Sequence, residues 1–237
     1  MRLISVLYAL LTLMLMGGAG LVLLLFVPNT PLPPAWNPTL SLDVTDPVTP
    51  MTRIKLQRAL ADGASCKAAL TTGATFQPMA DLVTAPQCGI ADRVRLTAIG
   101  AARLRPVETR CQTALRTAMW HHHGITPAAR RHFAQGVSAI HHASSYNCRE
   151  MRTTAGGTGR MSTHATADAI DISGVTLADG RKLSLLDGWP AADNRGAFFR
   201  DLRDSACMWF RLSLGPDYNR LHADHFHLQH TGWGLCR

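Results

Sequence analysis

The residues with the clearest chemistry are two histidines and an aspartate in two short motifs. His164 and Asp171 stand seven residues apart, and His227 ends the triplet His225-Phe226-His227. Together these side chains offer two imidazole nitrogens and one carboxylate oxygen. Three such ligands suit a zinc ion and leave a fourth coordination position open for water, as catalytic zinc sites do. The sequence therefore predicts a zinc centre that is built for chemistry.

Two strands are expected to position most of these side chains. Residues 168–177 alternate in polarity, with Asp171 on one side of the strand and Ile170 and Ile172 on the other. A carboxylate on a core strand is costly unless it is paired or bound to metal. A second strand is predicted over residues 224–229, where His225 and His227 would share a face. Only one of the two needs to be a ligand.

The remaining pattern predicts an α+β fold, with helices preceding a small antiparallel sheet that carries the zinc site. The elements expected from periodicity and from turn residues are a short strand at 94–96, helices at 106–120, 126–144 and 193–212, and a strand at 182–186 that returns from a hairpin turn at 178–181.

The N-terminal segment reads as a membrane anchor. The 25 residues from Leu3 to Val27 carry no charge, and as a helix they would span about 37 Å, against about 30 Å for a hydrocarbon core. Residues 17–20 are small but are followed by the apolar run 21–26, which disfavours cleavage. Arg2 favours an N-terminus inside. We expect residues 1–27 to be a single-pass inner-membrane helix and the C-terminal domain to lie in the periplasm.

A proline-rich segment follows the expected anchor. Seven prolines fall within 23 residues, at positions 28, 31, 33, 34, 38, 47 and 50. Such density opposes helix and favours extended, semi-rigid chain. We therefore expect residues 28–51 to be a linker that holds a domain of residues 52–237 off the membrane. A proline tract that binds a partner is the alternative.

The six cysteines agree with an exported domain. An even number outside the cytoplasm indicates disulfides. Sequential pairing (Cys66–Cys88, Cys111–Cys148 and Cys207–Cys236) would close short loops and is our prediction, and buried free thiols are the alternative. No Cys-x-x-Cys motif occurs, which argues against a thiolate zinc site.

The net charge of +8 does not indicate a nucleic-acid site. The basic residues are scattered and form no Lys/Arg-rich run, so we expect a basic solvated surface and no nucleic-acid partner. His121-His122-His123 invites a metal hypothesis, but consecutive residues face different ways on a helix. A cationic cap on an exposed helix end is the preferred interpretation of that run. The sequence does not indicate an oligomeric state.

The motifs resemble those of known families. Residues 162–171 resemble the Ser-x-His-x-x-Gly-x-Ala-x-Asp motif of the zinc D-Ala-D-Ala peptidases, in the lysostaphin/D-Ala-D-Ala-peptidase/hedgehog superfamily, and residues 225–227 look like its His-x-His motif. The region from about Cys66 to Cys236 is more similar still to the bacterial extensin-like C-terminal domain family. That likeness rests on residues 145–149, 162–171, 214–217 and 224–227. Ala167 departs from the peptidase pattern, because it replaces the motif glycine.

The resemblance implies a role for each residue. His164, Asp171 and His227 would bind zinc, and His225 would be the histidine that assists catalysis without binding the metal. Asp224 stands where the carboxypeptidases have a glutamate base, and we rank it second to His225 for proton transfer. Two further residues are expected to act around the metal. Arg149 would hold a substrate carboxylate, or else form a structural ion pair, and Ser162 would orient His164 or contact substrate.

We therefore expect a membrane-anchored, extracytoplasmic zinc hydrolase that acts on the peptides of peptidoglycan. Bound zinc would acidify a water and polarise the scissile carbonyl. The alternative is a non-catalytic, zinc-stabilised domain that binds the cell wall or serves as a scaffold in the envelope.

Overall fold

The computed structural model describes residues 2–25, 30, 32–153 and 156–237. The helices in chain order are α1 (Arg2–Leu24), α2 (Pro50–Ala59), α3 (Gly63–Leu70), α4 (Cys111–Trp120), α5 (Thr126–Phe133), α6 (Leu185–Gly188) and α7 (Asn194–Trp209). The strands are β1 (Ala74–Pro78), β2 (Leu82–Ala85), β3 (Cys88–Ile90), β4 (Arg93–Ile99), β5 (Ala102–Arg110), β6 (Val137–His142), β7 (Glu150–Thr153), β8 (Gly156–Met161), β9 (Ala169–Leu177), β10 (Lys182–Ser184), β11 (Leu212–Leu214), β12 (Phe226–Gln229) and β13 (Leu235–Cys236). Short 3-10 turns cover Pro34–Trp36, Thr163–Thr166 and Arg220–His222, and a π-helical turn, His121–Ile125, joins α4 to α5.

A mixed sheet forms the centre of the domain. In the described ranges it has nine strands in the order β1-β4-β5-β6-β9-β12-β11-β13, with β10 paired to β9. Strand β9 pairs with β6 along one edge, and with β12 and then β10 along the other. The pairs β5–β6 and β11–β13 are parallel. A fold that mixes helices and sheet is confirmed. The predicted small antiparallel sheet that follows the helices is wrong, because the sheet is large and mixed and its strands lie between α3 and α4, between α5 and α6, and after α7.

Two predicted helices are shorter than expected. The helix predicted from Pro106 begins only at Cys111, because Pro106 lies in β5 where the pairing with β4 shifts between the pairs Leu96–Val107 and Ala98–Arg103. Proline has no N–H to donate, so such a break in a ladder tolerates it. The helix predicted over 126–144 ends at Phe133, where Ala134 takes a left-handed conformation with φ of 53°. The chain then enters β6, whose apolar spacing fits either structure.

An aromatic core fixes the strand that carries His227. Trp120 of α4 makes edge contacts with Phe226 and Phe210, and Phe199 of α7 packs against Phe226 as well. The indole N–H of Trp120 donates to the Leu202 carbonyl at 3.1 Å, which joins α4 to α7. Because Phe226 is buried in this core, the next side chain along β12 projects from the opposite face of the sheet.

All six cysteines are paired, but the pairing is not sequential. The disulfides are Cys66–Cys111, Cys88–Cys148 and Cys207–Cys236, with Cα–Cα distances of 6.0, 5.5 and 5.7 Å. The prediction was right for the last pair and wrong for the other two. Helix α3 packs against α4, which brings Cys66 to Cys111 and leaves Cys88, on its separate hairpin, to reach Cys148. Contacts made by folding, rather than loop length, select the partners.

The N-terminal helix is long and apolar enough to cross a membrane. Residues Ile4–Leu24 meet that description, and none of their side chains is buried in the domain. The predicted end of the anchor at Val27, and Pro28 and Pro31 of the predicted linker, lie outside the described residues.

The rest of the expected linker packs on the domain. Leu42 and Val44 belong to the hydrophobic core, so residues 32–49 do not act as a free spacer over their described length. Helix α2 begins at Pro50, where Thr49 caps it and exchanges a capping-box hydrogen bond with Thr52.

Candidate metal centre

Two neighbouring strands and one turn bring the three predicted ligands together. His227 of β12 stands directly opposite Asp171 of β9 in the antiparallel register. His164 comes from the 3-10 turn that links β8 to β9. The exposed fractions of His164, Asp171 and His227 are only 2, 8 and 8%. Residues that lie up to 63 positions apart in the chain therefore share one buried site.

The ligand atoms of the three side chains converge. His227 Nδ1 lies 2.8 Å from Asp171 Oδ1 and 3.1 Å from His164 Nε2. His164 Nε2 lies 3.2 Å from Asp171 Oδ2. The three side chains form a group that could hold a metal ion.

The hydrogen bonds on the far side of each imidazole set its tautomer. His164 Nδ1 lies 2.8 Å from the Ser145 carbonyl, which can only accept, so Nδ1 carries the proton and the Nε2 lone pair faces the cluster. Ser145 is itself held, because its hydroxyl donates to the Ala169 carbonyl at 2.6 Å. His227 Nε2 lies 2.7 Å from the side-chain amide nitrogen of Gln229, which donates to it and so places the His227 proton on Nδ1, toward Asp171. Rotation of that amide lets its oxygen accept from Nε2–H and leaves Nδ1 free for the cluster.

The electrostatics of the cluster favour the forms that bind metals. Burial alone raises the pKa of Asp171, but the adjoining imidazoles of His164 and His227 outweigh it and hold that pKa well below its ordinary value. Burial lowers the pKa of His227, and the opposing attraction of Asp171 does not offset it. An ionised carboxylate and a neutral imidazole are the ligand forms of these residues.

His225 and Asp224 lie at the edge of the cluster. Strand β12 begins at Phe226, so both residues precede it, and the prediction of a strand from Asp224 was wrong at that end. His225 Nε2 lies 3.7 Å from Asp171 Oδ1, and its Nδ1 lies 2.8 Å from Asp224 Oδ1. Asp224 is exposed over 66% of its side chain. Asp224 thus contacts His225, and His225 faces the cluster.

His222 is a second imidazole at this edge. Its ring lies 5.3 Å from that of His225 and 5.8 Å from that of His227. Burial and the nearby His227 and His225 lower the pKa of His222 to about 4. It is therefore neutral near neutral pH.

Ser162 does not orient the His164 ring. Its hydroxyl accepts the backbone N–H of His164 at 3.3 Å and so caps the 3-10 turn. Ser162 is buried, and the imidazole donates to Ser145 instead. The predicted orienting role is thus filled by a backbone carbonyl that no side-chain motif encodes.

Arg149 lies beside a cleft next to the cluster. Its carbonyl accepts the N–H of Ser162 at 3.0 Å, and Ser162 stands two residues before His164. The backbone of Arg149 is therefore held close to the turn that carries His164. Arg149, Arg152 and Leu221 are among the residues that line a cavity of about 490 Å³. Leu221 adjoins His222 in the chain, so this wall of the cavity leads to the edge of the cluster. The β7–β8 hairpin forms another wall, to which Gly156 and Gly157 of β8 contribute.

Sequence reasoning missed the contribution of Gln229 and the backbone conformation of Ala167. Gln229 stands two residues after His227 on the same strand. Because residues two apart lie on one face of a sheet, the spacing could have identified it. Ala167 ends the turn of His164 with φ of 52°, a left-handed conformation that favours glycine. The Ala167 carbonyl accepts from the Thr113 hydroxyl at 2.9 Å, which anchors the turn to α4.

The run His121–His123 does not form an exposed cationic cap. Burial lowers the pKa of His121 to about 4, so this residue is neutral. His123 Nε2 bonds to the Val44 carbonyl at 2.9 Å, and the His123 ring stacks on Trp209. The helical chain continues from α4 into α5 through this run, so there is no helix end for the histidines to cap.

Fold and site together define a disulfide-bonded α+β domain with a buried cluster of two histidines and one aspartate beside a cleft. The chain belongs to the family described as Extensin-like protein C-terminus, whose model matches residues 64–237. No curated protein and no solved structure matches the chain. The similarity to zinc D-Ala-D-Ala peptidases therefore rests on the short motifs quoted above.

Proposed function

We propose that this protein is a membrane-anchored zinc hydrolase that cleaves peptide bonds of peptidoglycan outside the cytoplasm. One observation carries the proposal: His164 Nε2, His227 Nδ1 and the carboxylate of Asp171 meet at one buried point. In a tetrahedral zinc site with ligands at about 2.0–2.1 Å, neighbouring ligand atoms are about 3.3 Å apart. The 2.8–3.2 Å separations approach that value and need only small outward shifts.

The donor set also fits zinc by its chemistry. Two imidazole nitrogens and one carboxylate oxygen are ordinary ligands of catalytic zinc, and the Ser145 carbonyl supplies the outer partner that a ligating histidine needs. When bound, zinc would lower the pKa of a water toward about 7 and polarise a carbonyl. Without a cation, His164 Nε2 would face a carboxylate oxygen at 3.2 Å with a lone pair on each atom.

His225 is the proposed acid and base. Its Nδ1–H donates to Asp224, which leaves Nε2 free to accept a proton from the attacking water and to return it to the leaving amine. Asp224 then acts by holding the tautomer and orientation of His225, as the aspartate of a Ser-His-Asp triad does for its histidine. In this arrangement the exposed Asp224 positions His225 and does not itself transfer the proton.

The cleft suggests the substrate class. Arg149 and Arg152 line it, and a guanidinium pairs well with a carboxylate. Peptidoglycan stem peptides end in a free carboxylate and lie outside the cytoplasm, where α1 as an uncleaved anchor would place a disulfide-bonded domain. The partners that we propose for this protein are thus peptidoglycan and the inner membrane, with the domain in the periplasm.

The test combines metal analysis with digestion of peptidoglycan. Full-length protein is purified without chelator and its zinc content is measured, and purified peptidoglycan is then digested and its muropeptides are resolved by mass spectrometry. We expect about one zinc per chain and a new cleavage product. His164→Ala should lose both, and His225→Gln should keep zinc and lose the product. A zinc-free protein with full activity would refute the proposal.

A second candidate is a non-catalytic domain in which zinc only stabilises the fold. The burial of the three ligands favours it, together with the His222 ring 5.8 Å from His227, since structural zinc sites are closed by a fourth protein ligand. In that case zinc is bound, no muropeptide changes, and His222→Gln weakens zinc binding. For the hydrolase, His222→Gln should leave the zinc content unchanged.

A further inference from the structure

The segment that follows α1 is bound to the end of that helix and to α2 at the same time. The Thr39 hydroxyl donates to the Leu25 carbonyl at 3.3 Å, beside the C-terminus of α1. One residue earlier, the Pro38 carbonyl accepts from the Arg58 guanidinium of α2. The Pro34 carbonyl accepts from Lys55 Nζ at 3.0 Å. These contacts hold one side of α2 close to the point where the apolar helix ends.

The same side of the domain exposes large apolar residues. Trp36 is exposed over 51% and Leu40 over 44% of their surface, and Ile54 is exposed as well. Ile54 and Arg58 stand four residues apart on α2 and therefore share a face. We call Trp36, Leu40, Ile54 and Arg58 the Trp36 patch. Tryptophan beside apolar and basic side chains is typical of residues at a membrane–water interface.

A basic cavity adjoins the Trp36 patch. It has a volume of about 400 Å³, and its lining includes Leu40, Leu42, Lys55 and Arg58. No carboxylate is among the described residues that line it. Asp46, which is not a lining residue, pairs with the buried Lys55 at 3.4 Å. A pocket with basic and apolar walls beside a membrane helix suits the headgroup of an anionic phospholipid.

We propose that the Trp36 patch rests on the membrane that holds α1, with anionic phospholipid headgroups at Arg58. The domain would then lie against the bilayer instead of being held away from it by a spacer. This inference rests on the proposed anchor but not on zinc or hydrolysis. Its support is the continuity between α1 and the patch through Thr39, together with the positive charge of Arg58 at the patch.

Depth-dependent fluorescence tests the proposal directly. The full chain is reconstituted into nanodiscs that contain bilayer lipids brominated on the acyl chain, which quench nearby indoles. Helix α1 contains no tryptophan, so quenching reports the domain. We expect Trp36→Phe to lose most of the lipid-dependent quenching. Trp233→Phe, which removes another indole exposed over 75%, should keep it. Unchanged quenching in Trp36→Phe would overturn the proposal and leave a protein partner or a second copy as the occupant.

The charge of the patch gives a second readout. A basic side chain near an anionic surface favours contact by about five-fold, so Arg58→Glu should reduce quenching in anionic discs by at least that factor in the docked-to-undocked ratio. Arg200→Glu on α7 is the control and should not change it. Failure of the anchor is detected separately, because the mass of the chain isolated from membranes shows whether α1 is retained. Equal quenching in anionic and neutral discs would refute the lipid headgroup contact.

Discussion

Two sets of histidines in this protein both suggest a metal site in the sequence, and they differ in structure. His121, His122 and His123 are consecutive, yet their rings are divided among the interior, solvent and the Val44 carbonyl. His164 and His227 lie 63 positions apart, yet their nitrogens are 3.1 Å apart with a carboxylate beside them. Metal ligands need one shared centre, and a helix disperses neighbours whereas paired strands and a turn can collect them. Proximity in sequence is therefore a poor guide to a metal site.

The strongest test of this difference is a matched pair of variants. We expect His227→Gln to weaken zinc binding by well over 100-fold, since loss of an outer partner alone typically costs 10- to 100-fold. His123→Gln should leave zinc affinity unchanged, although it removes the bond to Val44. Competition with a fluorescent chelator measures both variants, and circular dichroism checks that both fold. Equal affinity of His227→Gln and wild type would remove His227 from the site.

The two sets of histidines should also differ in how they respond to pH. Burial lowers the pKa of His121 to about 4 from an unfolded value near 6.5, so the unfolded chain binds the proton more readily. Stability is then fully present above pH about 6.5 and is lost as pH falls toward 4, by about 3 kcal/mol from this residue.

Urea unfolding at several pH values checks this expectation. The His121→Gln variant should show a weaker fall in stability with decreasing pH, by up to about 1.4 kcal/mol per pH unit within that window. His122→Gln is the control: His122 is exposed and is only the second cause of the lowered pKa of His121, so its substitution should change the slope much less. An identical slope for His121→Gln and wild type would mean that His121 is not held neutral by burial.

A smaller effect is expected from the outer partner of His227. Gln229→Leu removes the amide that lies 2.7 Å from Nε2 and should weaken zinc binding by about 10-fold. Gln229→Glu keeps an acceptor and should retain most of the affinity. If Gln229→Leu binds zinc as tightly as wild type, the tautomer of His227 is set by another contact.

Some elements of the fold and of the candidate site could be predicted from the sequence pattern. The period-2 pattern placed β9 well, because Asp171 alternates with buried isoleucines, and Asp193 marked the start of α7. The cluster of His164, Asp171 and His227 could be predicted because its residue types and motif spacing are distinctive. The predicted helix at Pro106 failed because apolar spacing there fits both helix and strand, and pairing with β4 and β6 selected strand.

Other features depend on contacts that the sequence does not display. The partner of His164 is the Ser145 carbonyl, and every residue has a carbonyl. The disulfides follow the packing of α3 on α4, and the proline-rich segment becomes part of the domain because Leu42 and Val44 find room in its core. Such features are set by the assembled fold, so local patterns could not have specified them.

The smallest effects are expected from substitutions at two turns. One turn carries His164, and the other ends α5, which follows the run His121–His123. Ala167 ends the turn of His164 and Ala134 ends α5, with φ of 52° and 53°. Left-handed alanine is strained by about 1–2 kcal/mol, and glycine removes that strain but costs about 0.4–1 kcal/mol in unfolded-state entropy. Ala134 is exposed, so Ala134→Gly should stabilise the protein by about 0.5 kcal/mol.

At the candidate metal centre, the buried methyl group of Ala167 adds a third term to the free-energy change on substitution by glycine. Its loss costs about 0.8 kcal/mol more, so Ala167→Gly should leave the free energy of unfolding within about 0.5 kcal/mol of wild type. Thermal unfolding of both variants, with and without zinc, measures the difference. If Ala167→Gly were the more stabilising of the two, the methyl would be crowding the turn instead of packing in it. The glycine of the peptidase motif would then be the better residue for holding His164 in place.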